Sequence, residues 1–215
     1  MSCSKQTIFI TATDTDAGKT WVTASVIRAL LKKGISAKAL KPIACGLNEA
    51  GLNDDIEILL AAQGFNDADK INLFRYAMPA APSQAAAAEN AIVDTDKLTT
   101  WCKKEADHVD TCLIEGVGGL MVPITDNWLV SDWIEATPDA EVWLVVGCKL
   151  GAINQTLLTL EQLKQMGRSP TRIFFNAPQK VYNDWITPTR KAVEPFLNAN
   201  CQVYSLNYDS EVSLN

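Results

Sequence analysis

The chain has 215 residues, of which 47% are hydrophobic and 20% are charged, so we expect one folded domain over residues 1–215. Its 25 acids and 19 bases give a formal net charge of −6, and Lys and Arg form no cluster. This balance argues against nucleic acid or an anionic membrane as a partner. The six cysteines and the single histidine, His108, show neither zinc-binding nor disulfide spacing, so we expect reduced thiols in a cytoplasmic protein.

Short β-rich runs alternate with helical patterns along the chain. The predicted strands are residues 7–13, 37–43, 111–115, 142–146, 172–176 and 202–206. The predicted helices are residues 18–33, 54–62, 96–106, 153–166 and 185–197. The alanine-rich residues 80–91 are expected to form a loop and a short helix over a site. The alternation predicts an α/β fold, with a mostly parallel sheet that carries helices on both faces and binds ligands beyond the carboxyl ends of its strands.

The segment between the first predicted strand and helix has the features of a phosphate-binding loop. It ends in Gly18, Lys19 and Thr20, and backbone N–H groups at such a helix start bind phosphate oxygens. Lys19 would add a cation for the β and γ phosphates, and the Thr20 hydroxyl is a hard oxygen ligand suited to Mg²⁺. The usual pattern has Gly where this chain has Thr13, and an incidental Lys at a helix start is the alternative. The strand before the loop and the helix after it favour a P-loop NTPase-like fold.

Carboxylates at strand ends are candidates for holding a metal ion beside such a loop. Glu115 ends an apolar predicted strand, and Gly116 and Gly118 follow it, so backbone can approach a ligand closely there. Asp54 and Asp55 open a predicted helix, where helix capping would account for one acid. From the residues alone, either aspartate is a candidate metal ligand.

Lys41 closes the second predicted strand, next to Pro42. A lysine at this point can reach a transferring phosphate or a substrate carboxylate. Spacing alone nevertheless favours a solvent-exposed lysine at a strand end.

Several of these segments together resemble the dethiobiotin synthetase family over roughly residues 7–180, in the same order and at similar separations. The matching segments are T-D-T-D-A-G-K-T (13–20), K-P-I-A-C-G (41–46), N-D-D (53–55), A-P-S (81–83), E-G-V-G-G (115–119), V-V-G-C-K-L-G-A-I-N (145–154) and F-F-N (174–176). The E-G-x-G-G and L-G-x-I-N segments are far more specific than G-K-T alone.

The resemblance implies a reaction in which 7,8-diaminononanoate, CO₂ and ATP give dethiobiotin, ADP and phosphate, with Mg²⁺ required. A substrate amine captures CO₂ as a carbamate, ATP phosphorylates the carbamate, and the second amine closes the ring. The protein supplies positioning and charge neutralisation, as phosphoryl transfer requires.

The resemblance also implies roles for individual residues. Those implied to bind nucleotide are Thr15, Asp16, Ala17, Gly18, Lys19, Thr20, Asp55, Glu115, Gly116, Gly118 and Asn176, the last of which would face adenine. Thr20, Asp55 and Glu115 are the implied Mg²⁺ ligands. The implied catalytic residues are Lys41, Lys19 and Thr15. The implied substrate contacts are Thr15, Lys41 and Cys45, together with Gly151, Ala152 and Asn154, which would bind the substrate carboxylate across the interface of a homodimer.

The chain departs from the family pattern at several positions. Ala12 stands where Gly is usual, which would cost about 1 kcal/mol if φ there were positive. Asp16 replaces a common Glu, and Cys45 replaces a substrate-contact Ser with a weaker hydrogen-bond donor. Residues 205–208 replace the family's base-binding segment and its Pro, so nucleotide choice is less well defined than the phosphate chemistry.

Three other functions compete with this interpretation. A P-loop switch ATPase of the partitioning type carries a signature Lys where this chain has Asp14, which counts against it. An amide-forming ligase for a larger acid usually carries a glutamine amidotransferase domain, for which 215 residues leave no space. Ala12 and Cys45 would suit a degenerate, non-catalytic paralogue, but Lys19, Lys41 and Glu115 are retained.

Overall fold

The computed structural model describes residues 5–49 and 51–213 and has a parallel sheet at its centre. The strands are β1 (Gln6–Ala12), β2 (Ala37–Leu40), β3 (Ile43–Cys45), β4 (Phe74–Tyr76), β5 (Thr111–Glu115), β6 (Pro123–Thr125), β7 (Trp128–Leu129), β8 (Ala140–Gly147), β9 (Arg172–Asn176) and β10 (Gln202–Leu206). Six of them form the main sheet in the order β10-β9-β8-β1-β5-β2, with every neighbouring pair parallel. Two small sheets pair β3 with β4 and β6 with β7.

Helices connect the strands. They are α1 (Lys19–Lys32), α2 (Asp54–Gln63), α3 (Pro82–Ala88), α4 (Thr95–Ala106), α5 (Val130–Glu135), α6 (Ala152–Gln165) and α7 (Asn183–Val193). Short 3₁₀ turns occur at Ala68–Lys70, Lys180–Tyr182 and Glu194–Phe196. Within the described residues, no helix has the length and apolarity needed to cross a membrane.

Apolar side chains cover both faces of the sheet. Along β8, Leu144 and Val146 belong to one buried cluster, whereas Val145 between them belongs to the other. Because successive side chains of a strand point to opposite faces, apolar side chains of β8 pack on both sides of the sheet. Helix α1 packs into the cluster that contains Val145, and helices α6 and α7 pack into the cluster that contains Leu144 and Val146. The predicted α/β architecture, a P-loop NTPase-like parallel sheet with helices on both faces, is therefore confirmed.

The predicted strand at residues 37–43 is wrong in one respect, because the structure divides it in two. Strand β2 ends at Leu40, and β3 begins at Ile43 in a different sheet. Between them, the Lys41 N–H donates to the Ile71 carbonyl at 2.8 Å, and Pro42 has no N–H with which to continue a ladder. The chain therefore leaves the main sheet at Lys41, which places this lysine at the carboxyl end of the sheet.

The other predicted elements lie close to where the structure has them. Residues 80–91 contain the expected short helix, α3. The predicted helix at 185–197 ends early as an α-helix and continues as a 3₁₀ turn from Glu194, directly before Pro195. Sequence patterns missed β4, β6, β7 and α5, which are all six residues or shorter and give little periodic signal.

Candidate active site

The loop between β1 and α1 lies at the carboxyl end of the sheet, where β1 is flanked by β5 and β8. The Thr13 N–H donates to the Val145 carbonyl at 3.0 Å, which fixes the start of the loop to β8. Gly18 has φ +93° and directly precedes α1. A Cβ at Gly147 would lie 2.9 Å from the Ala17 Cα, so glycine at the end of β8 allows the loop to pass this closely. The loop and the start of α1 therefore form a turn held against β8, and N–H groups at such a helix start are suited to binding anions.

Ala12 fits this turn without strain. It is the last residue of β1, is fully buried, and is not among the described non-glycine residues with positive φ. The conditional penalty for alanine at this position therefore does not apply.

Lys19 is buried at the base of the cleft described below and binds to backbone oxygens. Its ammonium donates to the Gly118 carbonyl at 2.7 Å and to the Asp14 carbonyl at 3.4 Å. Burial lowers the pKa of Lys19 to about 8, and the positive charge of Lys41 acts in the same direction. A polyanionic ligand in the cleft would favour the charged form of this lysine.

Lys41 is buried, with 3% of its surface exposed, so the exposed lysine expected from spacing alone is wrong. Its ammonium lies 2.6 Å from Oε1 of Glu115 and 2.8 Å from Oδ2 of Asp55. Burial alone would lower the pKa of Lys41, but the two carboxylates outweigh burial and hold that pKa well above its ordinary value. The Thr20 hydroxyl donates to the same Glu115 oxygen at 2.7 Å. The structure thus brings the three predicted metal ligands together around Lys41.

The two candidate aspartates at the start of α2 have different surroundings. Asn53, and neither aspartate, caps the helix by accepting from the Ile56 N–H at 3.3 Å. Asp54 is exposed, whereas Asp55 is half-buried and pairs with Lys41. Burial would raise the pKa of Asp55, but Lys41 holds it below its ordinary value. Asp55 is therefore the aspartate that faces the site.

A cleft of about 880 Å³ lies above these groups. Lys19, Thr20, Lys41 and Asp55 line one end. The remaining wall is formed by Thr15, Asp16, Gly18, Trp21, Cys45, Pro79, Ala80, Ala81, Pro82, Val117, Gly118, Val122, Asn176, Ala177, Pro178, Tyr208 and Asp209. Residues 79–82 lead into α3, so the alanine-rich segment does border the site as predicted.

Sequence reasoning missed part of this wall. Val117 lies within the glycine-rich turn after β5 and Val122 follows that turn, and Trp21 follows the phosphate loop on α1. Tyr208 and Asp209 come from the C-terminal segment, which Trp21 holds through a hydrogen bond from its indole N–H to the Ser210 carbonyl at 2.9 Å. The only signal in the sequence for Tyr208 and Asp209 was that residues 205–208 stand where the family has its base-binding segment.

One predicted nucleotide contact also supports the loop itself, and two others lie behind the cleft wall. The Asn176 amide is buried and donates to the Ala17 carbonyl at 2.9 Å, while the residue also lines the cleft. Ala17 and Gly116 are buried; a side chain at Gly147 would meet Ala17, and a side chain at Gly116 would meet Phe9. Ala17 and Gly116 thus lie behind the cleft wall, where only their backbone groups are placed to serve a ligand.

The three predicted carboxylate-binding residues lie apart from the cleft. Gly151, with φ +90°, precedes α6, and Ala152 and Asn154 lie in its first turn. Gly151 and Asn154 are exposed, whereas Ala152 is buried. The single chain therefore does not bring these residues to its own cleft.

Asp14 ties the phosphate loop to this segment. Its carboxylate accepts from the Lys149 ammonium at 2.8 Å, from the Gln155 amide at 3.4 Å and from the Thr15 N–H at 2.8 Å. Burial would raise the pKa of Asp14, but Lys149 and the hydrogen bonds hold it below its ordinary value. Asp14 therefore connects the loop to the start of α6.

Cys45 lines the cleft at the end of β3 and is a free thiol. Burial raises its pKa to about 11, against a smaller opposing effect of Lys41. The group is therefore a neutral thiol near pH 7 and not an activated nucleophile.

The strand–loop–helix around Lys19, with Glu115 at the carboxyl end of the neighbouring strand β5 and Asp55 at the start of α2, defines a P-loop nucleotide-binding protein. A family model described as an AAA domain matches residues 6–201. A curated relative, the ATP-dependent dethiobiotin synthetase BioD of Aliivibrio fischeri (strain MJ11), is 34% identical over 74% of this chain and 72% of its own length. The enzyme of the same name from Acidiphilium cryptum (strain JF-5) is 38% identical over 78% of each chain. The chain thus belongs to the ATP-dependent dethiobiotin synthetase family of P-loop ligases.

Among solved structures, the signal recognition particle receptor FtsY from Elizabethkingia anophelis matches with a TM-score of 0.48 and 15% identity over 99% of this chain and 63% of that chain. This likeness is too distant to bear on function.

Proposed function

We propose that this chain closes the ureido ring of dethiobiotin from 7,8-diaminononanoate, CO₂ and ATP, releasing ADP and phosphate. The observation that carries the proposal is the pair of buried ammonium groups, Lys19 and Lys41. They lie at the end of the 880 Å³ cleft that is lined by Lys19, Thr20, Lys41 and Asp55, which we call the phosphate end. Fixed cations in a water-poor site stabilise charge on phosphoryl groups and on a carbamate. The names of the curated relatives support this activity over the other P-loop functions.

The reaction has three bond-making steps. One amine of the substrate attacks CO₂, so a C–N bond forms and the nitrogen loses a proton to give a carbamate. A carbamate oxygen attacks the γ-phosphorus of ATP, and the bond to ADP breaks. The second amine attacks the carbonyl carbon and loses a proton, phosphate leaves, and the ring closes.

The residues at the phosphate end position these groups and neutralise their charge. We assign the triphosphate to the backbone of residues 15–20 and to the Lys19 ammonium. We assign the carbamate to Lys41, with the Thr15 hydroxyl and Cys45 beside it on the cleft wall. Positioning of this kind can supply a large part of the rate, because the attacking groups no longer have to meet by diffusion.

The proposed Mg²⁺ ligands are Thr20, Asp55 and Glu115. The donor set suits this ion because it consists of one hydroxyl and two carboxylates. In addition, Oε2 of Glu115 is buried and has no hydrogen-bond partner within the described residues, which is costly unless a ligand binds that oxygen. When bound, Mg²⁺ would neutralise charge on the β and γ phosphates.

The proposed substrate also has a carboxylate, which we assign to Gly151, Ala152 and Asn154 of a second copy of the chain. These residues are at a helix start, where N–H groups bind anions, but lie outside their own cleft. A homodimer is therefore part of the proposal. The adenine is assigned to the far end of the cleft, beside Asn176 and Tyr208.

The test is ADP release with each component omitted in turn. We expect turnover only when diaminononanoate, bicarbonate, ATP and Mg²⁺ are all present, with dethiobiotin formed in equal amount by mass spectrometry. ATP hydrolysis that ignores the diamine would favour a switch ATPase, and the absence of any turnover would favour a non-catalytic paralogue.

A further inference from the structure

The Lys41 ammonium lies between the two carboxylates proposed to hold the metal ion. It is 2.6 Å from Glu115 Oε1 and 2.8 Å from Asp55 Oδ2. The Thr20 hydroxyl, the third proposed ligand, bonds to the same Glu115 oxygen. Lys41 thus contacts both carboxylates on which a divalent cation would also depend.

The charges of this cluster balance without a metal ion. Glu115 and Asp55 contribute two negative charges, and Lys41 and Lys19 contribute two positive charges when both lysines are protonated. Glu115 is 0% exposed and Lys41 is 3% exposed. Electrostatic interactions between such buried charges are stronger than in water, because the effective dielectric constant is lower. A divalent cation that entered this cluster with Lys41 still in place would create an excess of two positive charges in a buried site.

Given the metal site proposed above, we infer that the Lys41 ammonium is a displaceable counter-ion, which gives up Glu115 and Asp55 when a divalent cation binds them. Lys41 already lines the cleft, so its flexible side chain has space to turn towards the carbamate position proposed beside Thr15 and Cys45 without backbone movement. The charge of the triphosphate would compensate the added cation. Lys41 then reaches the carbamate only when metal and nucleotide are both in place.

The inference predicts that Lys41 weakens metal binding when no nucleotide is present. The probe is Mn²⁺ alone, titrated into the folded full chain and followed by the electron paramagnetic resonance signal of free Mn²⁺. We expect Lys41→Met to bind Mn²⁺ about tenfold or more tightly than the wild type, because the competing cation is gone. The matched control is Lys149→Met, which removes one lysine charge paired with Asp14 outside the cluster and should bind Mn²⁺ within twofold of the wild type.

The outcomes separate this inference from the proposed metal site. If Lys41→Met bound Mn²⁺ no more tightly than Lys149→Met, the ion would enter beside Lys41 and displacement would be wrong. If no variant bound Mn²⁺ at any concentration, or if Glu115→Gln bound it as well as the wild type, the proposed metal site itself would be wrong.

A second variant and a direct measurement cover the possibility that Lys41→Met does not fold. Lys41→Gln removes the charge but keeps a hydrogen-bond donor to Glu115, and it should show the same tightening. In the wild type labelled with ¹³C-lysine, the ε-carbon resonance of Lys41, identified by its loss in Lys41→Arg, should shift on addition of Mg²⁺ with ATP. An unchanged resonance at saturating MgATP would overturn the inference.

Discussion

The two ends of the cleft are built differently. At the phosphate end, Lys19, Lys41 and Glu115 are almost fully buried and bonded to one another or to backbone oxygens. At the far end, Tyr208 is 44% exposed and belongs to a C-terminal segment held to α1 through Trp21. One end therefore has charge fixed in the interior, and the other has a partly exposed wall.

We therefore expect substitutions at the two ends of the cleft to have different effects. Buried charges are costly unless each has a partner, so a change at the phosphate end should affect both stability and turnover. A change in an exposed wall leaves few unpaired groups and should affect mainly ligand affinity. The exposure of this wall also agrees with the departure of residues 205–208 from the family pattern, since exposed segments tolerate substitution.

The largest effect is expected from Lys41→Ala. Loss of a fixed cation beside the reacting oxygen should lower turnover on the order of 10²–10³-fold, while ATP still binds through the loop. Steady-state kinetics and ATP binding by calorimetry would measure both. Lys38→Ala is the control, because Lys38 lies on β2, three residues before Lys41, but pairs with Glu105 away from the cleft. Wild-type turnover in Lys41→Ala would remove this lysine from the mechanism.

Glu115→Gln should lower the free energy of unfolding by about 3 kcal/mol, as expected when one partner of a buried ion pair is removed. The effect lies at the low end of the usual range because Asp55 still pairs with Lys41. Urea denaturation followed by circular dichroism would measure it. Asp55→Asn, at a side chain that is 43% exposed, is the control and should cost less. Equal losses would contradict the ranking of the two carboxylates by burial.

The Cys45 thiol should react slowly with iodoacetamide. Its pKa is raised from 9.0 to about 11, so at pH 8 the thiolate fraction is about 100-fold below that of the unfolded chain. The labelling rate, followed by mass spectrometry, should rise about tenfold for each pH unit from 8 to 10 and level off near 11. Fast labelling at pH 8 would contradict this prediction. It would show that the Lys41 ammonium stabilises the Cys45 thiolate instead of pairing with Asp55 and Glu115.

The smallest effect is expected at the far end. Trp21→Phe removes the hydrogen bond to the Ser210 carbonyl, which is worth about 1 kcal/mol. We expect the KM for ATP to rise about threefold with kcat unchanged. The control is Trp185→Phe, an exposed tryptophan on α7 that does not line the cleft. A fall in kcat in Trp21→Phe would mean that the two ends of the cleft are coupled.

The fold was largely predictable because its strands and helices carry strong periodic patterns. Strands such as 142–146 are apolar on both faces, as buried parallel strands are. The short elements β3, β4, β6, β7 and α5 were missed or merged, since two to six residues do not show a period. The break in the predicted strand 37–43 was signalled only weakly, by Pro42.

The sequence by itself determined the phosphate loop, the parallel α/β architecture and the family, because contiguous motifs such as residues 13–20 and 115–119 encode local backbone geometry. Only the tertiary structure decided that Lys41 is buried, that Asp55 and not Asp54 faces the site, and that Lys149 pairs with Asp14. The physical reason is that burial and ion pairing depend on distances between segments far apart in the chain. Lys41 and Glu115 are 74 residues apart, and no local pattern records that their charges lie 2.6 Å from each other.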